Sequence, residues 1–156
     1  MIHHDLTQWP LAISVVTGAM SLDDQADFFR AWSEWLDRDE PFAVLRHFSD
    51  DASTIHPPDG APEARLWLQE KASKIRSHVL GLATIVPEMA YGKLVRMDGQ
   101  GLFGVPAEFF SVKAAAIDWI VETLFLPRGL PYNRLAIRSR MSELERPLRW
   151  AEQRAV

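Results

Sequence analysis

Short apolar runs alternate along this chain with longer stretches in which apolar residues recur every three or four positions. That alternation predicts strands interleaved with one-sided helices. The run PFAVLRHF (41–48) sits between a charged helix end and the polar turn SDDAST, and is expected as the central strand. Residues 2–6 make a short first strand. LAISVVTG (11–18), β-branched in its second half and ended by Gly18, makes a second. VLGLATIVP (79–87) is nearly all apolar, as a strand covered on both faces should be. VPAEFF reads as a weak edge strand.

Between these lie the helices. In SLDDQADFFRAWSEWLDRDE, Ser21 is a good N-cap with Asp24 three positions on. Leu22, Ala26, Phe29, Trp32 (or Ser33) and Leu36 share the face expected against the sheet. Phe28 and Trp35 widen it beyond what one sheet needs, as a broad core stripe, a subunit interface or a ligand wall. Pro41 closes this helix. The loop SDDASTIHPPDGAPEA is long and polar, a lid or an exposed excursion. A helix over 62–78 carries Ala64, Leu68, Ala72 (or Lys71) and Ile75 on one stripe running on to Val79, with Trp67 beside it and Glu70 and Lys74 as an exposed pair. EMAYGKLVRM is a short helix broken by DGQG. SVKAAAIDWIVETLF is a strong one, capped by Ser111, with Ala115, Trp119 (or Ile120) and Leu124 inward. RLAIRSRMSELE, with Leu135, Ile137, Met141 and Leu144, stays helical only if it docks on something. The reading is an α/β domain over 1–125, with a mostly parallel sheet of four to five strands covered by helices, and a partly helical C-terminal extension over 126–156.

Composition narrows the chemistry. The 156 residues suffice for one core, and 47% of them are hydrophobic. There is no cysteine, which removes disulfides and thiolate chemistry and fits a reducing, cytoplasmic setting. The start MIHHDLTQWP lacks the basic-then-apolar order of a signal peptide, and no run is long enough to span a membrane. Residues 126–156 hold seven Arg and three Glu in a chain of net charge −4, so a basic tail follows an acidic body. Arg134, Arg138, Arg140, Arg146, Arg149 and Arg154 are expected to grip that body or a partner protein. No aromatic-studded basic groove accompanies them, so nucleic acid is not expected as a partner.

Candidate chemistry is sparse. His47 ends the central strand, and Asp50, Asp51 and His56 follow in the loop, beyond the carboxyl ends of parallel strands where ligands bind. The four form the best-placed polar cluster, an acid/base pair or divalent site on one reading and an exposed polar loop on the other. Their spacing matches no metal motif, and no metal or cofactor is expected. His3 and His4 read as solvent-facing residues of an edge strand. The glycines of DGQGLFG follow a helix and so lack a dinucleotide context. Six tryptophans are many for this length. Core packing is the default for them, but convergence with Phe28 and Tyr91 would line a pocket for a small apolar ligand.

Four features resemble the small STAS-like (SpoIIAA-like) family related to sporulation anti-sigma-factor antagonists. They are the strand pair ending in Gly18 before Ser21 and Asp24, PFAVLRHF with its acidic turn, LGLATIVP before a short helix, and Phe110 with Ala116 and Trp119. The resemblance covers 1–125 and implies fold rather than catalysis. In the sporulation antagonists a serine at the helix start after the central strand is phosphorylated and engages a kinase partner. Ser53 and Thr54 are the hydroxyls here nearest that place. The first expectation is therefore a non-enzymatic protein-interaction module, self-associating as a homodimer through Phe28, Trp32, Trp35 and Trp67. The alternatives are a small-molecule binder or cofactorless enzyme with a site at the strand ends, and a phosphorylation-controlled regulator.

Overall fold

The computed structural model describes residues 1–96, 101 and 103–154, with side chains up to residue 146. Five strands form one sheet in the order β1 (Ile2–Asp5), β2 (Leu11–Val16), β3 (Phe42–Phe48), β4 (Val79–Ile85) and β5 (Ala107–Phe110). β1 is antiparallel to β2, and every other pair is parallel. β3 is central, as its apolar run demands. Its partners align Ile13 with Leu45 on one side and Leu45 with Ala83 on the other.

Because the strand order never reverses, right-handed crossovers place successive helices on the same face. α1 (Leu22–Leu36) and α2 (Ala61–His78) pack there on Ala12, Val44 and Leu82. α3 (Glu88–Leu94) brings Ala90 and Leu94 against Phe48 and Val86 beyond them. The opposite face receives α4 (Lys113–Trp119), a wide π-helical turn (Ile120–Phe125) and α5 (Arg134–Arg154). Thus the segment expected as an extension packs on the sheet and completes the cover of this face. Ile137 and Met141 are buried with Leu11, Ile13 and Leu45, while Leu135 points away, 77% exposed. The apolar residues that looked too few for a free helix are enough for a docked one.

Five local expectations change. Ser21 and Asp24 do form a reciprocal capping box, but the buried face of α1 is Gln25, Trp32, Trp35 and Leu36, with Phe28 packed beside them. Leu22 and Ala26 are exposed. The face is rotated because β1 extends the sheet under α1, and His4 of β1 meets Trp35 edge-on at 5.2 Å. His4 is consequently half-buried rather than solvent-facing. Ser111 does not cap α4, whose N-cap is Val112 with no side-chain bond; Ala116 rather than Ala115 turns inward. Lys74 pairs with Asp37, the residue that follows α1, at 2.7 Å instead of Glu70.

The tail arginines divide. Arg134 lies 3.3 Å from Asp118 and 3.6 Å from Glu122, and Arg140 holds Asp5 and Glu143. Arg138 and Arg146 are exposed, with no acidic partner among the described residues. Gly99 and the side chains of Arg149, Trp150 and Arg154 lie outside the described residues.

Candidate ligand cavity

The loop of 49–60 is built rather than loose. Asp50 accepts the backbone N–H of Gly18 at 3.0 Å and that of Ser53 at 2.8 Å, tying the β2–α1 turn to the β3–α2 turn. Gly18 sits at φ 69°, a conformation that favours glycine. Ser53 donates back to the Asp50 carbonyl at 2.6 Å and is fully buried. Gln25, buried in α1, donates to the Gly60 carbonyl at 3.0 Å and pins the far end of the loop. A Cβ on Gly60 would meet the Gln25 side chain, its Nε2 at 2.8 Å.

Beneath this loop, between α1, α2 and the carboxyl half of the sheet, lies a cavity of about 710 Å³. Phe48 and Phe109 contribute from the strands, Phe28 and Trp32 from α1, and Trp67 and Leu68 from α2. Phe29 and Phe103 complete an aromatic wall, Phe29 stacking on Trp67 at 4.7 Å. The loop supplies Thr54, His56 and Pro57 as one side. Trp67 donates its indole N–H to Ser33 at 3.1 Å, whereas the buried indole N–H of Trp32 has no acceptor among the described residues.

Strand alternation sends Phe42, Val44, Arg46 and Phe48 to this face. Arg46 is therefore an arginine set among aromatic rings. Its guanidinium lies 5.7 Å from the Phe48 ring centre and 5.5 Å from that of Phe103. Its Nη2 and Nε donate to the Thr84 hydroxyl at 3.0 and 3.3 Å, and no carboxylate pairs with it among the described residues. Burial lowers its pKa to about 10. His56, at the rim, is also lowered, first by burial and then by the charge of Arg46. With Arg65 these make three basic side chains on the cavity, and no described Asp or Glu lines it.

The expected cluster of His47, Asp50, Asp51 and His56 does not converge. His47 follows Arg46 and so points through the opposite face, where its Nδ1 lies 2.9 Å from Glu145 Oε1 of α5. Lys113 joins that pair at 2.7 Å. Burial opposes the charge on Glu145, but His47 and Lys113 outweigh it and hold the carboxyl at about 2. Asp50 is occupied in the turn, and Asp51 is exposed, its carbonyl accepting the Thr54 hydroxyl at 2.7 Å. Only His56 of the four reaches the cavity. Among the described residues no three His, Asp or Glu gather closely enough to hold a metal ion.

The aromatic residues expected at a subunit interface are placed inside the chain. Trp32 and Trp35 are 1% and 2% exposed, and Phe28 and Trp67 are half-buried on the cavity wall. Tyr91 is not among the lining residues; it packs beside Phe48 and Val86. Arg46 went unremarked in the sequence, although it is the one charged residue inside an otherwise apolar stretch of a central strand. A shallower hollow of about 220 Å³ near Thr7, Trp9 and Tyr132 has no charged side chain on it. No described helix is long and apolar enough to cross a membrane. The chain matches no protein-family model, no curated protein and no solved structure.

Proposed function

We propose that this protein binds a small, largely apolar molecule in the cavity between α1, α2 and the sheet. The observation that carries the reading is the cavity itself. At about 710 Å³ it falls within the ~300–1,000 Å³ range of small-molecule pockets, and its walls are aromatic with a few polar groups. It also lies beyond the carboxyl half of the parallel strands, under the loop that carries Thr54, His56 and Pro57. Binding is favoured over catalysis because, among the described residues, no nucleophile and base converge on it. Thr54 donates to a backbone carbonyl, and His56 is the lining group best suited to proton transfer near neutral pH.

The rival reading, a STAS-like cytoplasmic homodimer joined through Phe28, Trp32, Trp35 and Trp67, has less to stand on, since Trp32 and Trp35 are already covered within the chain. Phosphorylation control has less still. Ser53 is buried and hydrogen-bonded in its turn, and neither Ser53 nor Thr54 opens a helix longer than three residues. The test is calorimetric titration with two uncharged probes, 2-naphthamide and dodecanamide, on the native chain and on Ala64→Trp, which puts an indole into the cavity from α2. One-to-one binding of at least one probe, weakened about tenfold or more in the filled variant, is expected. Failure of both probes to bind the native chain, or equal binding by the filled variant, would overturn the reading.

A further inference from the structure

Resting on that reading of the cavity, we infer that its ligand is an organic anion, a carboxylate with a bulky hydrocarbon body, and that Arg46 is the residue that takes the carboxylate. Every ionisable side chain lining the cavity among the described residues is basic: Arg46, His56 and Arg65. Arg46 is the inner one, carried on the central strand. A charged group half withdrawn from water, as Arg46 is, gains from a partner charge or several hydrogen bonds that offset its lost hydration. Arg46 has one hydroxyl.

The geometry also says how the anion would sit. Thr84 occupies the Nε–Nη2 edge of the guanidinium. The Nη1–Nη2 end has no hydrogen-bond partner among the described residues, and that end presents two parallel N–H groups, the spacing a carboxylate accepts bidentately. The aromatic walls then receive the hydrocarbon body, which is the part of the ligand that carries no charge. The Nε–Nη2 contact with Thr84 and the rings of Phe48 and Phe103 limit the swing of the guanidinium, so it is oriented before the ligand arrives.

The experiment compares each uncharged amide with its own acid: 2-naphthoate against 2-naphthamide, and dodecanoate against dodecanamide, at pH 7.5. In the native chain the carboxylate should bind at least about tenfold more tightly than the amide. Arg46→Met should abolish that preference while leaving amide affinity within about threefold. Thr84→Val, which removes the hydroxyl but keeps Arg46, should retain the preference. Equal affinity for acid and amide in the native chain would overturn the anion inference and leave the cavity reading intact. Binding of neither pair would overturn both. If Arg46→Met does not fold, the native-chain comparison still decides the anion inference, and a chain carrying His56→Gln with Arg65→Gln, expected to keep the preference, tests whether those two groups rather than Arg46 recognise the anion. A preference that survives in a folded Arg46→Met chain would show that another basic group recognises the anion.

Discussion

A guanidinium surrounded by Phe48, Phe103 and a single threonine hydroxyl is an expensive thing to build into a central strand, because the interior returns little of the hydration it removes. His4 is a second residue whose burial sets its protonation. Its Nδ1 lies 2.8 Å from the Ser14 hydroxyl, its ring abuts Trp35, and its Nε2 is buried with no partner among the described residues. Burial, helped by neighbouring His3, pushes its pKa from 6.5 to about 4. Between those values the unfolded chain binds the extra proton and the folded chain does not, so stability falls as pH falls. Glu145 acts lower down. Its carboxyl, held at about 2 against an ordinary 4.5, contributes stability above 4.5 that is lost as pH drops toward 2. Urea unfolding should therefore show stability falling by on the order of 2 to 3 kcal/mol between pH 6.5 and 4. His4→Phe should remove most of that slope, His56 supplying a smaller part from the cavity rim, and leave the loss below pH 4.5 in place. An unchanged slope in His4→Phe would contradict this account of the buried imidazole.

Among the elements, the sheet strands were the most legible, since apolar runs with β-branched residues leave little choice of structure. β3 and β4 fall within 41–48 and 79–87, the runs that read as strands, and β3 is internal. Helix faces were less legible. α1 buries Gln25, which periodicity would assign to solvent, because its amide has a backbone carbonyl to meet at Gly60. That contact joins residues 35 apart in sequence, and no local pattern contains it. The cavity was half legible for the same reason: Phe28 stood out as more than one sheet needs and Trp67 flanked its helix's stripe, while Arg46 needed the facing helices before its isolation meant anything. On the other face, close approach depends on Gly81 of β4. A Cβ there would stand 2.7 Å from Leu124 Cδ1 and 3.1 Å from the Pro106 carbonyl. The leucine can turn, but the carbonyl belongs to the chain leading into β5 and cannot retreat without disturbing that edge pairing. Gly81→Val should thus cost about 1 to 3 kcal/mol by overpacking, read as a lower midpoint in denaturant with little change in slope. Native-like stability in this variant would mean that the sheet and the π-helical turn are less tightly apposed.

At the scale of the molecule, a sheet whose order runs straight from β1 to β5 has no point where the strand order reverses, so the usual crevice between diverging crossovers is missing. The cavity arises otherwise. α1 and α2 close over the middle of the sheet around Trp35, Ile75 and Val79, and the first turns of both helices leave room above the strand ends. The long loop, fastened by Asp50 and by Gln25, spans that room instead of filling it. The central claim is that the room receives a ligand, and the indole N–H signals of Trp32 and Trp67 report on it most directly. Both tryptophans line the cavity, while Trp9, bonded to Glu40 at 2.8 Å, stands outside it as an internal reference. Titration of 2-naphthoate and dodecanoate into the ¹⁵N-labelled protein should move the Trp32 and Trp67 indole signals to saturation and leave Trp9 in place. Trp32 and Trp67 signals that stay still with both probes, or move no further than that of Trp9, would contradict the account.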